Sequence, residues 1–304
     1  MSKLLPVIVI VILLLNACTN EPKSFWESPN AYLGQIPPND TPKPFAPGLL
    51  ADTGGIALDR VAFSPDGREF YYCHNTSWFS STNLKIKAFK FTGDRWQGPV
   101  LINETFNSPT FSMDGNTLYF PGGDSTGAVV WQSNRSDSGW TKPSAYLKAS
   151  YSLYDFMPTK SGNMYIGTNG RWGSAKDYSC FDIARLNVNG KDTVLQNLGT
   201  PLNTTGAFDG DFFVAPDESY IIISTKETKD FECELYISFR TADGKWNTPK
   251  SLGPLINNGL AHRWGQYVTP DKKYLFYTQA TSEKDCKIYW VRFDKLLEKL
   301  RAQN

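Results

Sequence analysis

One short pattern returns five times along this 304-residue chain. VAFSPDGREFYY occupies 61–72 and PTFSMDGNTLYF occupies 109–120; weaker copies follow as FMPTKSGNMYIG at 156–167, FFVAPDESYIII at 212–223 and QYVTPDKKYLFY at 266–277. Aligned on Ser64, Ser112, Thr159, Ala215 and Thr269, the copies stand 48, 47, 56 and 54 residues apart. A period of this length marks repeat architectures, in which one unit cannot bury its apolar face alone and must pack on its neighbours.

Each copy has the same grammar: an apolar strand runs into a polar turn and leaves in a second strand such as 117–120. Gly67, Gly115 and Gly162 can take left-handed backbone angles, and Asp66 and Asp114 can bond back to the turn amides. A strand-like stretch follows in every unit, at 84–90, 128–132, 181–186, 234–239 and 287–293, several of them alternating apolar with polar residues. A further turn and short strand come next, around Trp96, Trp140 and Trp246, with 190–194 as the version lacking Trp. Four short antiparallel strands in roughly 50 residues is the arithmetic of a propeller blade.

The expected fold is therefore all-β, a single β-propeller over 45–299 with five four-stranded blades and inner strands beginning near Val61, Pro109, Phe156, Phe212 and Gln266. Six blades is the rival count, because the extra residues between 168 and 210 can hold irregular strands. The last unit lacks an outer strand, and residues 45–50 are the candidate to supply it, which would close the ring and remove exposed sheet edges. Residues 295–299 read as a short helix, followed by a tail at 300–304.

The turn sequences Phe63-Ser64-Pro65-Asp66-Gly67 and Phe111-Ser112-Met113-Asp114-Gly115 resemble the WD40-like repeats of TolB-type periplasmic β-propellers, and the likeness covers about 45–299. The last three units depart from the signature, with Asp217-Glu218 and Asp271-Lys272 in place of Asp-Gly in two of them. Propellers of the kind it resembles hold ligands at an end of the central channel.

The amino terminus points to export. Lys3 precedes eleven residues, 5–15, of nearly unbroken apolar character; a permanent span needs about 20, whereas an export signal does not. Leu15-Asn16-Ala17-Cys18 then resembles the bacterial lipobox, which implies a signal peptide at 1–17 and lipidation of Cys18 as the membrane attachment. Thr19, in place of Asp, leans toward an outer-membrane lipoprotein, on the periplasmic side or the cell surface. Residues 18–44, rich in Pro, Asn, Ser and Asp, read as a tether. Loss of 1–17 would remove one lysine and leave 30 cationic against 30 anionic residues, a balance that implies neither nucleic acid nor an anionic surface as partner.

With two histidines in the chain, no metal site and no cofactor are expected. Cys180, Cys233 and Cys286 recur every 53 residues, each just before a third strand, and Cys73 lies on a second strand. They read as small buried side chains, a disulfide being the alternative. The approaches to the inner strands bring Asp59, Arg60, Asp155, Asp211, His262, Arg263 and Trp264 toward one end of the channel. This mixed acidic, basic and aromatic mouth is the expected ligand-binding site; the alternative is that Trp264 completes a packing layer and that Asp59 and Arg60 tie blades together. The function expected is a monomeric binding scaffold for an envelope protein or another envelope component. A glycan-binding protein, or a glycoside hydrolase or lyase working with Asp59, Asp155 and Asp211, is the alternative, and it would need carboxylates about 5 to 9.5 Å apart in unlike environments.

Overall fold

The computed structural model describes residues 24–303, apart from 52–53, 79–82, 125–126, 138, 171–180, 190–191, 205–209, 226–231 and 283–284. Five copies of one tight turn organise it. Three residues after each alignment position the backbone is left-handed: Gly67, Gly115 and Gly162 at φ 78°, 75° and 85°, Glu218 and Lys272 at 57° and 63°. In every copy that residue's N–H donates to the carbonyl at the alignment position, at 2.8–3.1 Å. The departures from glycine leave the turn intact.

These turns join the inner two strands of each sheet. A short strand, β1 (Lys43–Pro44), precedes the first full unit, which is β2 (Ile56–Phe63), β3 (Glu69–Asn75), β4 (Lys85–Thr92) and β5 (Arg95–Asn103). The second holds β6 (Thr110–Phe111), β7 (Thr117–Asp124) and β8 (Gly127–Ser136), its outer edge shared by β9 (Gly139–Trp140) and β10 (Ser144–Ala149). The third runs β11 (Leu153–Pro158), β12 (Met164–Thr168), β13 (Asp182–Asn189), β14 (Asp192–Asn197), and the fourth β15 (Phe212–Val214), β16 (Tyr220–Thr225), β17 (Glu234–Phe239), β18 (Lys250–Ser251). The fifth is β19 (His262–Val268), β20 (Tyr274–Ala280) and β21 (Cys286–Arg292), with β1 as its outer strand. Pairing within the blades is antiparallel throughout. Neighbouring blades touch in sequence, β2 with β6, β7 with β11, β11 with β15 and β15 with β19, and β19 returns to β2, so the ring closes at five blades.

The chain ends close the ring differently from the sequence expectation. The outer strand of the last blade is Lys43–Pro44 facing Trp290 and Tyr289, extended by one bond from Phe45 N–H to the Ile288 carbonyl, and not residues 45–50. The proposed tether is also shorter than 18–44, because residues from 24 onward pack on the body. Trp26, Tyr32 and Leu33 are buried. Trp26 lies so close over Gly67 that a Cβ there would sit 2.8 Å from the indole, and its Nε1–H donates to the Pro65 carbonyl at 3.1 Å. Tyr32 packs edge-on against Tyr274 at 4.9 Å and tilted on Trp290 at 5.6 Å, and its hydroxyl donates to Asp271. Scattered aromatics among prolines read as a linker in sequence, but here each fills the seam between the first and last blades. At the other terminus a helix, α1 (Asp294–Ala302), replaces the shorter helix and tail expected, and buries Leu300.

Glu218 shows how a non-glycine turn is held. Its carboxylate accepts from Thr159 Oγ1 at 2.8 Å, Asn163 Nδ2 at 2.9 Å, Tyr165 Oη at 3.0 Å, Ser161 Oγ and, from its own blade, Arg240 Nη1 at 2.5 Å. The turn of the fourth blade is thereby bonded into that of the third.

Two outcomes are expected. A chain beginning at Phe45 loses β1 and the aromatic seam, and should melt well below one beginning at Ser24; truncating one such aromatic typically costs about 3–5 kcal/mol. Burial would raise the Glu218 carboxyl, but the surrounding hydroxyl and amide donors hold it down to about 2. Its folded pKa lies below the unfolded value of about 4.3, so its contribution is complete above that pH and is lost as the pH falls toward 2. Glu218→Gln should therefore lower stability at pH 7 by about 1–3 kcal/mol, with the gap to the parent closing between pH 4.5 and 2 in urea melts.

Candidate functional site

Six of the seven residues expected at the channel mouth lie within inner strands rather than on approach loops. Asp59 and Arg60 are inside β2, Asp155 inside β11, and His262, Arg263 and Trp264 open β19, while Asp211 stands directly before β15. Three of these inner strands therefore begin before the positions expected, at Ile56, Leu153 and His262. Two neighbouring polar residues interrupt apolar alternation and imitate a loop; the physical cause is a bulge. Register shifts occur between Leu58 and Ala62, Tyr154 and Phe156, and Trp264 and Tyr267. Asp59, Asp155 and Gly265 take positive φ there, at 61°, 43° and 62°, which turns consecutive side chains toward the axis.

Six of the seven side chains are buried, with His262 half-buried. Arg60, fully enclosed, crosses the channel: Nη2 donates to Asp155 Oδ2 at 2.5 Å and to the Phe212 carbonyl at 2.6 Å, joining the first, third and fourth blades. Trp264 Nε1 donates to Asp59 Oδ1 at 2.5 Å, tying the fifth blade to the first. The His262 ring lies 4.7 Å from Trp264, and Trp78 stacks on Trp264 at 5.3 Å. Asp211 joins through its backbone carbonyl, which accepts from Gln266 Nε2 at 2.9 Å. Arg263 turns away from this group. Its guanidinium donates to the carbonyls of Cys233, Ala261, Asn258 and Gly259, so it fixes the loop ahead of its own strand.

Burial pushes the Asp59 carboxyl up, against hydrogen bonds from Trp264 and Asn107, and burial likewise raises Asp155 against the pull of Arg60. Unlike environments of this kind can support acid–base work. Yet Asp59 and Asp155 are only 8% and 2% exposed, and their outward sides are taken by Trp264 and Arg60. Their bonds tie the first blade to the third, fourth and fifth. Among the described residues Cys73, Cys233 and Cys286 are buried and form no disulfide, and Cys180 lies outside the described residues. Among the described residues no three His, Cys, Asp or Glu side chains gather as a metal-holding group.

The cavity with accessible chemistry lies at the other end of the channel, beside the five turns. It measures about 330 Å³, and each blade contributes an inner-strand side chain to it: Phe63, Phe111, Met157, Phe213 and Tyr267. Met113, 39% exposed, lies at its mouth. Lys160, Lys272 and Arg301 stand around it with one carboxylate, Asp217, which Lys272 meets at 3.5 Å. Sequence reasoning missed this site because its lining residues look like ordinary core. The available signal was positional: each lies one or two residues before the aligned turn position.

The sequence matches no protein-family model and no curated protein. Among solved structures it is similar to TolB from Acinetobacter baumannii, at 15% identity and a TM-score of 0.44, over 76% of this chain and 54% of that one. A periplasmic gluconolactonase from Pseudomonas aeruginosa is similar at 13% identity and 0.40, over 73% and 64%. A functionally unknown protein from Desulfotomaculum acetoxidans is similar at 10% and 0.41, over 73% and 62%. This chain thus spans less than two thirds of each of these structures. The five-bladed propeller is read from its own sheets.

Asp155→Asn should lower stability by about 3–5 kcal/mol, because it strands a buried guanidinium. Urea unfolding checks this, and a neutral effect would show that Arg60 does not depend on the pair.

Proposed function

We propose that this chain is a cell-envelope binding scaffold, attached to the membrane through lipidated Cys18 and recognising an envelope component at the turn end of its channel. The observation that supports recognition there is the cavity of about 330 Å³ to which all five blades contribute apolar side chains, under a rim of Lys160, Lys272 and Arg301. Concave, mainly apolar pockets with a few convergent polar groups are the usual form of a binding site. The opposite end offers less, since Asp155 is already bonded to the Arg60 guanidinium and Asp59 to the Trp264 indole. A glycan-cleaving reading finds no exposed acid pair to work with among Asp59, Asp155 and Asp211, all buried, and it is not favoured. Cys18 and the preceding signal lie outside the described residues, so the anchor and the outer-membrane location rest on the sequence pattern at 5–18 and on Thr19.

Placing the photoreactive residue p-benzoylphenylalanine at Met113, beside the cavity, and separately at Leu260, exposed just ahead of β19, tests the reading in cells. A discrete adduct is expected from position 113 and none from 260; adducts from 260 alone would move recognition to the opposite end. Mass measurement of the membrane-extracted chain should find acylated Cys18 as its first residue, and an intact Met1 terminus would remove the anchor.

A further inference from the structure

The geometry points to a specific ligand class for the turn-end cavity: a single acyl chain carrying an anionic head, taken from the membrane surface. The inference rests on the reading that this cavity is the recognition site, and three observations carry it further.

The first is the lining. Side chains from all five inner strands, together with Leu297 of α1, make an apolar lining suited to a flexible hydrocarbon body, each buried methylene of which favours binding.

The second is the rim. Although the whole chain is nearly neutral, three cations and one carboxylate surround this opening. Lys160 is exposed, and the side chain of Lys272 keeps 61% of its surface despite its contact with Asp217. The Arg301 guanidinium is fixed over Tyr220 and Phe239, with ring centroids at 5.9 and 5.8 Å, and Nη2 donates to Ser219 Oγ at 2.8 Å. An anionic head at the mouth therefore meets a local excess of positive charge, while the hydrocarbon occupies the interior.

The third is where the chain leaves the body toward Cys18. Phe25 lies under the Arg68 guanidinium at 4.6 Å, and Trp26 bonds to the Pro65 carbonyl. Both contacts are at the turn of the first blade, and Pro65 itself lines the cavity. Five residues, 19–23, separate Cys18 from Ser24. Fully extended, six peptide steps reach about 20 Å. A lipid on Cys18 would hold the turn end of the propeller near the bilayer, with the cavity close to the headgroup layer.

The test uses the purified full chain with phosphatidylcholine vesicles containing a diazirine-bearing fatty acid, irradiated and mapped by peptide mass spectrometry. Labelling is expected on the segments holding Met113, Met157, Tyr267 and Leu297. Excess dodecanoate should suppress it, dodecyl maltoside should not, and Lys160→Glu or Met113→Glu should reduce it at least fivefold without changing the melting temperature. Label confined to other surfaces, or equal competition by both detergents, overturns the amphiphile. In that event a protein adduct from position 113 would leave turn-end recognition standing, so the two readings fail separately. Cavity labelling undiminished in an unacylated chain, with the probe supplied in dispersion, upholds the ligand class and removes only the role of the anchor.

Discussion

A ring of five blades leaves so little room on its axis that inner strands meet backbone to backbone, and much of this structure follows from that crowding. A Cβ on Gly265 would fall 2.4 Å from the Asp59 carbonyl carbon and 2.7 Å from the Arg60 nitrogen. Strands this close cannot all run straight, so bulges divert them at Asp59, Asp155 and Gly265. The side chains the bulges turn inward have no water to meet. Arg60 bonds to Asp155 and Trp264 to Asp59 instead, while Arg60 Nε and Nη1 are left without a hydrogen-bond partner among the described residues; a buried pair of this sort is costly to break even where it adds little net stability. The side chains at this end of the channel are buried, while a cavity of about 330 Å³ lies at the other.

Closure imposes a second demand. A repeat ring with two free ends exposes a sheet edge and an unfilled seam. Here the chain start does both repairs: β1 completes the last sheet, and Trp26, Tyr32 and Phe45 fill the seam against Phe63, Tyr274, Phe276 and Trp290. The segment that closes the ring also fixes where the path to Cys18 leaves it, at the turn of the first blade.

Repeat architecture was legible in the sequence because the turn is a local object. Five copies of a strand, a left-handed turn and a second strand are encoded within about twelve residues each, and even where Glu218 or Lys272 replaces glycine the neighbouring Pro and Asp still mark the corner. Local hydrogen bonds from Ser64, Ser112 and Thr269 to Asp66, Asp114 and Asp271 complete it without help from distant chain. Convergence of Asp59, Arg60, Asp155 and Trp264 was also visible, since the repeat alignment places equivalent positions around one axis.

What those side chains do there was decided by tertiary structure alone. Whether a charged residue beside a strand meets solvent, a ligand or another blade depends on axial distances of a few ångströms, which no spacing in sequence records. The same holds for Phe63, Met157 and Tyr267: as apolar residues they announce burial, but only the packing of five blades leaves a cavity between them. The sequence determined the turns, the strand order and the period, because these are short-range. The ring's closing strand, its locked end and its open end were decided by long-range packing, because each needs residues more than fifty positions apart to meet.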